Sequence, residues 1–108
     1  MATISKILGQ SKPAAATPTD LYTVGGGKQA EANLYICNQS ASVSDKVRVS
    51  LRLGGAGADA MQYIAYDNEI PPASTYIFTG LALNDADIIT VYSTNATTSF
   101  NLVGLEVS

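Results

Sequence analysis

Between residues 46 and 53 the chain alternates without a break: Val47, Val49, Leu51 and Leu53 on one parity, Lys46, Arg48, Ser50 and Arg52 on the other. Successive side chains of a strand point to opposite faces, whereas a helix would scatter these residues around its circumference. The segment therefore reads as a strand with one face in a core and the other in water or against a partner. The same period of two, less regular, marks residues 21–24, 30–37, 61–67, 75–79, 88–93 and 99–107. Breaks at 25–27, 38–44, 54–60, 71–73, 81–87 and 94–98 carry the Gly, Pro, Asn, Asp and Ser that form turns. About seven strands at roughly ten-residue spacing, with no helical segment, predict an all-β fold, an antiparallel β-sandwich or jelly roll. In the last strand the apolar parity changes from Phe100 and Leu102 to Leu105 and Val107, and a β-bulge at Gly104 is the expected cause. Cys37, in an apolar stretch, reads as a small buried hydrophobe.

Residues 1–20 are of a different kind. Residues 11–19, Ser-Lys-Pro-Ala-Ala-Ala-Thr-Pro-Thr, hold two of the four prolines and almost no large side chains. That is too little apolar surface to offset the entropy of ordering, and the prolines bias the backbone toward extended forms. Ahead of them Ile4, Ile7 and Leu8 make a small apolar hook. The chain thus divides into an extended N-terminal arm, residues 1–20, and a β-sandwich domain, residues 21–108. Fully extended, twenty residues reach about 65 Å, far enough to lie across a neighbouring subunit. Ile4, Ile7, Leu8, Pro13 and Pro18 are the arm's candidate partner-binding residues.

Composition removes whole classes of chemistry. The 108 residues include no His, no Trp and a single Cys. Nucleophile pairs built on imidazole, zinc knuckles and paired-cysteine redox motifs are therefore out of reach. The expectation is a protein that is not an enzyme, with no catalytic residue, metal or cofactor. Six basic against nine acidic residues give a net charge of −3, which argues against nucleic acid as a partner. No apolar run has the length of a signal peptide or a membrane span, so no membrane partner is expected and synthesis is expected in the cytoplasm. The charges are unevenly placed. Residues 1–52 hold all six basic residues and three acidic ones, net +3, and residues 53–108 hold six acidic residues and no basic one, net −6. Either the two halves present opposite surfaces to different partners, or strand pairing mixes them in space.

Several local patterns invite chemistry and fall to plainer readings. Residues 54–60, Gly-Gly-Ala-Gly-Ala-Asp-Ala, contain a G-x-G-x-x-A string, but a dinucleotide site needs a helix next, and residues 61–66 read as a strand. Gly25-Gly26-Gly27-Lys28 lacks the phosphate-loop spacing and reads as a glycine turn. Asp85 and Asp87, and Asp67 with Glu69, cluster carboxylates without a calcium-loop spacing; they read as turn and hairpin residues. As a glycosidase pair, Asp67 and Glu69 lack supporting residues. Six tyrosines (Tyr22, Tyr35, Tyr63, Tyr66, Tyr76 and Tyr92) carry most of the aromatic surface and suit half-buried strand positions, an interface or stacking on sugar rings. Lys46, Arg48 and Arg52 form a basic strand face, a candidate docking surface for an acidic partner.

Residues 6–10 (Lys-Ile-Leu-Gly-Gln), 13–16 (Pro-Ala-Ala-Ala) and 19–24 (Thr-Asp-Leu-Tyr-Thr-Val) resemble the start of small virion proteins of tailed bacteriophages. The similarity continues through residues 28–30, 36–38, 47–49, 63–67 (Tyr-Ile-Ala-Tyr-Asp), 70–72 (Ile-Pro-Pro) and 99–102 (Ser-Phe-Asn-Leu). The family usually has Pro-Ala where this chain has Gly25-Gly26, a change within a turn. The resemblance implies a non-enzymatic β-sandwich component of the particle. Joined to the arm and the acidic half, it points to a capsid decoration or cement protein. Such a protein would sit on the virion's capsid surface between major capsid subunits, tethered by its arm, with further copies of itself as partners. A tail, neck or fibre component is the alternative, and a host-glycan-binding module that uses the tyrosines is the second alternative.

Overall fold

The computed structural model describes residues 2–108; Met1 lies outside the described residues. The strands in chain order are β1 (Thr3–Ser11), β2 (Thr19–Thr23), β3 (Gln29–Asn38), β4 (Asp45–Arg52), β5 (Tyr63–Ile70), β6 (Ser74–Leu83), β7 (Ile88–Ser93) and β8 (Thr98–Val107). They form two four-stranded antiparallel sheets, A in the order β1-β8-β3-β6 and B in the order β2-β7-β4-β5. First pairs with last, second with seventh, third with sixth and fourth with fifth, as when one long hairpin is rolled into a sandwich. This is the jelly-roll order.

The expected parity places the core. In β3, Ala30, Ala32, Leu34, Ile36 and Asn38 are buried while the residues between them face out. Leu34, Ile36, Phe100 and Leu102 of sheet A meet Val47, Val49, Ile70, Ile89 and Val91 of sheet B, all fully buried. The alternation in β4 ends one residue early: Leu53 lies in a 3-10 turn (Leu53–Gly55) and is 80 % exposed.

The eighth strand comes from the segment expected to be an arm. Residues 3–11 pair along β8 from Thr3↔Val107 to Ser11↔Phe100, with a register shift at Leu8. An edge strand buries little, so its sequence carries little periodicity, and main-chain pairing supplies the order that its side chains do not. The expected bulge at Gly104 is absent from the β3–β8 pairing, which runs in register throughout. The parity of β8 never changes. Thr98, Phe100, Leu102 and Glu106 are the inward buried set, and Leu105 and Val107 lie on the outward parity. Gly104 marks a close approach instead: a side chain there would run into the carbonyl of Glu31 and come 2.7 Å from Ala32 Cα. Cys37 is half-buried on the outward side of sheet A, level with Thr75 and Ser99, because the buried position next to it goes to Asn38.

Polar residues hold the ends of the sandwich. At one end Asp45, fully buried, accepts hydrogen bonds from Ser93 Oγ, Thr98 Oγ1 (2.6 Å) and the Asn95 backbone (3.0 Å). Beside it, buried Asn38 donates to the carbonyls of Val43 (2.9 Å) and Ile70 (3.0 Å) and accepts from Thr97 Oγ1 (2.9 Å). The β3–β4, β5–β6 and β7–β8 connections are thereby tied together, and the β1–β2 connection joins through Ala16 N to Ser93 O (2.9 Å). At the other end the Asp87 carboxylate accepts from Gly54 N (2.7 Å) and Asn84 N (2.8 Å), while its carbonyl accepts from Val24 N (3.0 Å). One residue clasps the β2–β3, β4–β5 and β6–β7 connections.

Replacing Asp45 with Ala strands two hydroxyls and a backbone N–H in the interior. The Asp45→Ala variant is expected to lose about 3 kcal/mol of stability, and Asp45→Asn, which keeps one acceptor, distinctly less; urea unfolding measures both.

Candidate functional site

The residues singled out from the sequence fall on two separate surfaces. Ile4, Ile7 and Leu8 lie on β1, with Ile4 and Ile7 52 % and 57 % exposed and Leu8 packed against the core. Pro13 is buried and Pro18 exposed in the connection to β2. The hook is therefore part of the sandwich's own edge and contributes Ile7 to the outward face of sheet A, opposite Val103. The next outward residues are Leu105 on β8, Tyr35 on β3 and Ile77 on β6, with Tyr35 directly opposite Ile77. All five are exposed. They form a diagonal apolar stripe across all four strands, where alternation would ordinarily place polar residues.

One carboxylate pins β1 to the body. Glu106, on β8 and 8 % exposed, receives the Tyr22 hydroxyl (2.6 Å) and ion-pairs with Lys6 Nζ on β1 (3.1 Å) and Lys28 Nζ (3.5 Å). The Tyr22 bond, then the Lys6 bond and the charges of Lys28 and Lys6, hold the Glu106 carboxyl below its usual range. Burial first, then the bond to Glu106, pushes the Tyr22 phenol up, so it stays the donor.

The second surface is the outward face of sheet B, where Lys46, Arg48 and Arg52 lie as the parity required. Lys46 is exposed opposite Glu69, and the two arginines have counter-ions within the chain. Arg52 donates from Nε to Ala56 O (2.7 Å) and pairs through Nη1 with Asp20 (3.1 Å), so it holds the loop after β4 against the β2–β7 edge. Arg48 makes a two-pronged pair with Asp67, Nε to Oδ1 at 2.7 Å and Nη2 to Oδ2 at 3.3 Å. The Asp67 carboxyl is lowered and the Arg48 guanidinium raised by this contact first. Asp67 reaches Arg48 because it is the extra residue of a bulge in β5: Val47 pairs with Asn68 and Arg48 with Tyr66, leaving Asp67 between at φ 54°. Left-handed backbone is strained for a non-glycine residue, and bulges of this kind re-aim side chains.

The pair fixes the Arg48 guanidinium between two rings, 4.3 Å from the centroid of Tyr66 and 4.6 Å from that of Tyr92. Tyr63 meets Tyr66 edge-on at 5.0 Å. Two of the six tyrosines thus flank one arginine, and a third backs Tyr66. Beside them the loop after β4 turns through a second 3-10 segment (Ala60–Gln62) closed by a capping box, with Met61 N donating to Asp59 Oδ1 (3.2 Å) and Gln62 Oε1 accepting from Asp59 N (3.0 Å). Between loop and strand lies a groove of about 570 Å³ lined by Ala58, Asp59, Ala60, Tyr63 and Tyr66. The sequence supplied the tyrosines as a set; Tyr66 and Tyr92 lie directly opposite Arg48 on its two neighbouring strands, and Tyr63 shares their face because a second bulge in β5 leaves Ile64 between the pairs Tyr63↔Ser50 and Ala65↔Val49, which no residue pattern announced. Asp67 and Glu69 have different neighbours: Asp67 is paired with Arg48, and Glu69 lies opposite Lys46.

Protonation at Glu106 supplies a test of the pinning. A carboxyl lowered by folding stabilises the protein above its unfolded-state value, and that contribution is lost as pH falls through the folded-state value. Glu106→Gln is therefore expected to lower the thermal midpoint at pH 7, and the gap to the parent protein should close as the pH drops below about 4. A gap that stays constant down to the lowest pH would contradict the assignment. No protein-family model, no curated protein and no solved structure matches the chain.

Proposed function

We propose that the chain is a structural subunit of a bacteriophage particle, a decoration or cement protein that lies between major capsid subunits and stabilises the head. The observation that carries this reading is the apolar stripe Ile7–Val103–Tyr35–Ile77 on the outward face of sheet A, with Leu105 beside it. A sandwich needs only its inner faces apolar, and exposed stripes of this extent mark contact surfaces. The short motifs shared with small phage virion proteins support the particle as the setting. The N-terminal segment keeps a role in attachment, in a changed form: β1 is a sheet edge whose outer backbone groups are open to strand addition, and Ile7 begins the stripe. The basic face of β4 is a weaker docking candidate than its sequence suggests, because Arg48 and Arg52 already hold Asp67 and Asp20.

Exposed positions can be changed without touching the core. The double variant Ile7→Glu with Ile77→Lys, at the two opposite edges of sheet A, is expected to unfold at nearly the parental temperature and to lose co-sedimentation with particles lacking the native protein. Undiminished co-sedimentation of the folded variant would reject the stripe as the contact.

A further inference from the structure

We propose that the groove between Tyr63, Tyr66 and the 58–60 wall is a binding site for a neutral saccharide. The site lies at the start of β5 in sheet B, on the sheet opposite the apolar stripe, so the inference does not rest on the particle reading and both surfaces can be occupied together.

Three features of the groove select this ligand. The first is a held aromatic platform. Tyr66 is 57 % exposed, yet its ring is fixed by Arg48 stacked on it and by the edge of Tyr63. Arg48 is itself fixed by the two-pronged bond to Asp67. A ring that is already immobile pays little ordering entropy when a flat C–H face stacks on it. The second is the wall. Ala58 and Ala60 leave room for close approach, and the loop is knitted by the Asp59 capping box and by Gln62 Nε2 to Gly57 O (2.8 Å).

The third feature is the polarity of the lining. Its charged member is Asp59, an acceptor, and among the described residues no Lys or Arg lines the groove; the nearby Arg48 is matched by Asp67. A carboxylate with Oδ1 held by Met61 N and Oδ2 left to accept, beside an aromatic face and tyrosine hydroxyls, suits a ligand with an apolar C–H face, hydroxyl donors and no negative charge, which is the chemistry of a neutral pyranose. A proline-rich peptide would also stack on tyrosines, but proline has no N–H to offer a carboxylate. An anionic sugar would meet Asp59 without a free cation in the lining.

The test is a two-dimensional amide NMR titration of the full chain with methyl α-D-glucopyranoside, methyl β-D-galactopyranoside and N-acetyl-D-glucosamine, and separately with a proline-rich peptide. At least one of the sugars is expected to give saturable shifts centred on residues 57–66, with a dissociation constant on the order of 1 mM. Tyr66→Ala is expected to weaken that binding by about tenfold. Ala58→Arg, at an exposed position away from the core, is expected to abolish it by filling the groove. Ile77→Ala on the opposite sheet is expected to leave it unchanged. No saturable shift with any of the three sugars would overturn the proposal. So would shifts centred elsewhere, binding undiminished in Ala58→Arg, or binding of the peptide alone.

Discussion

The fully buried carboxylate of Asp45 is the contact on which the order of this sandwich depends most heavily. Six of the seven connections cross from one sheet to the other, and only the link from β4 to β5 stays within a sheet. Crossing loops leave backbone groups at the corners of the core, where each unpaired one is expensive. Asp45 and Asn38 satisfy those at one end, and Asp87 does the same at the other with a single side chain. Among the described residues, fifteen buried apolar side chains supply the driving force for collapse. Apolar contact is non-directional, whereas the carboxylates accept only from particular donors and so select one arrangement of the loops.

The same pairing that closes the fold rearranges its charge. Lys6 and Lys28 from the basic half converge on Glu106 from the acidic half, and Arg48 takes Asp67 across the β4–β5 ladder. The split of +3 and −6 along the chain is therefore largely compensated in space. What distinguishes the two outer faces is chemistry of another kind. Sheet A turns an apolar stripe outward; sheet B turns out a self-neutralised arginine between tyrosines. The two outer faces therefore differ in kind, one carrying an exposed apolar stripe and the other a paired arginine among aromatic rings.

Much of this was legible because burial on one face leaves a period of two. β3, β4, β7 and β8 show it plainly, and β7 coincides with the alternating run at 88–93. The pattern failed where its physical cause was absent. Residues 3–11 form an edge strand with only Leu8 against the core, so Ile4 and Ile7 resembled a hook on a loose tether. Glu106 hid in another way: a buried acid between outward-facing Leu105 and Val107 imitates a change of parity. The site on sheet B was visible only as ingredients. Arg48 was placed on the right face by alternation, but its two rings are set by cross-strand register, and its partner Asp67 and the third ring, Tyr63, by two one-residue bulges in β5, properties of two strands together that neither sequence segment carries alone.

A subunit laid by its apolar face on a shell is repeated at every equivalent site of that shell, whereas a ring component is present in a few copies. Quantitative mass spectrometry of purified particles reads this difference directly. On the order of hundreds of copies per particle is the result expected for a cement protein. A count of about six or twelve would contradict the head position and favour a neck or tail ring, and absence from the particle would contradict the structural role altogether.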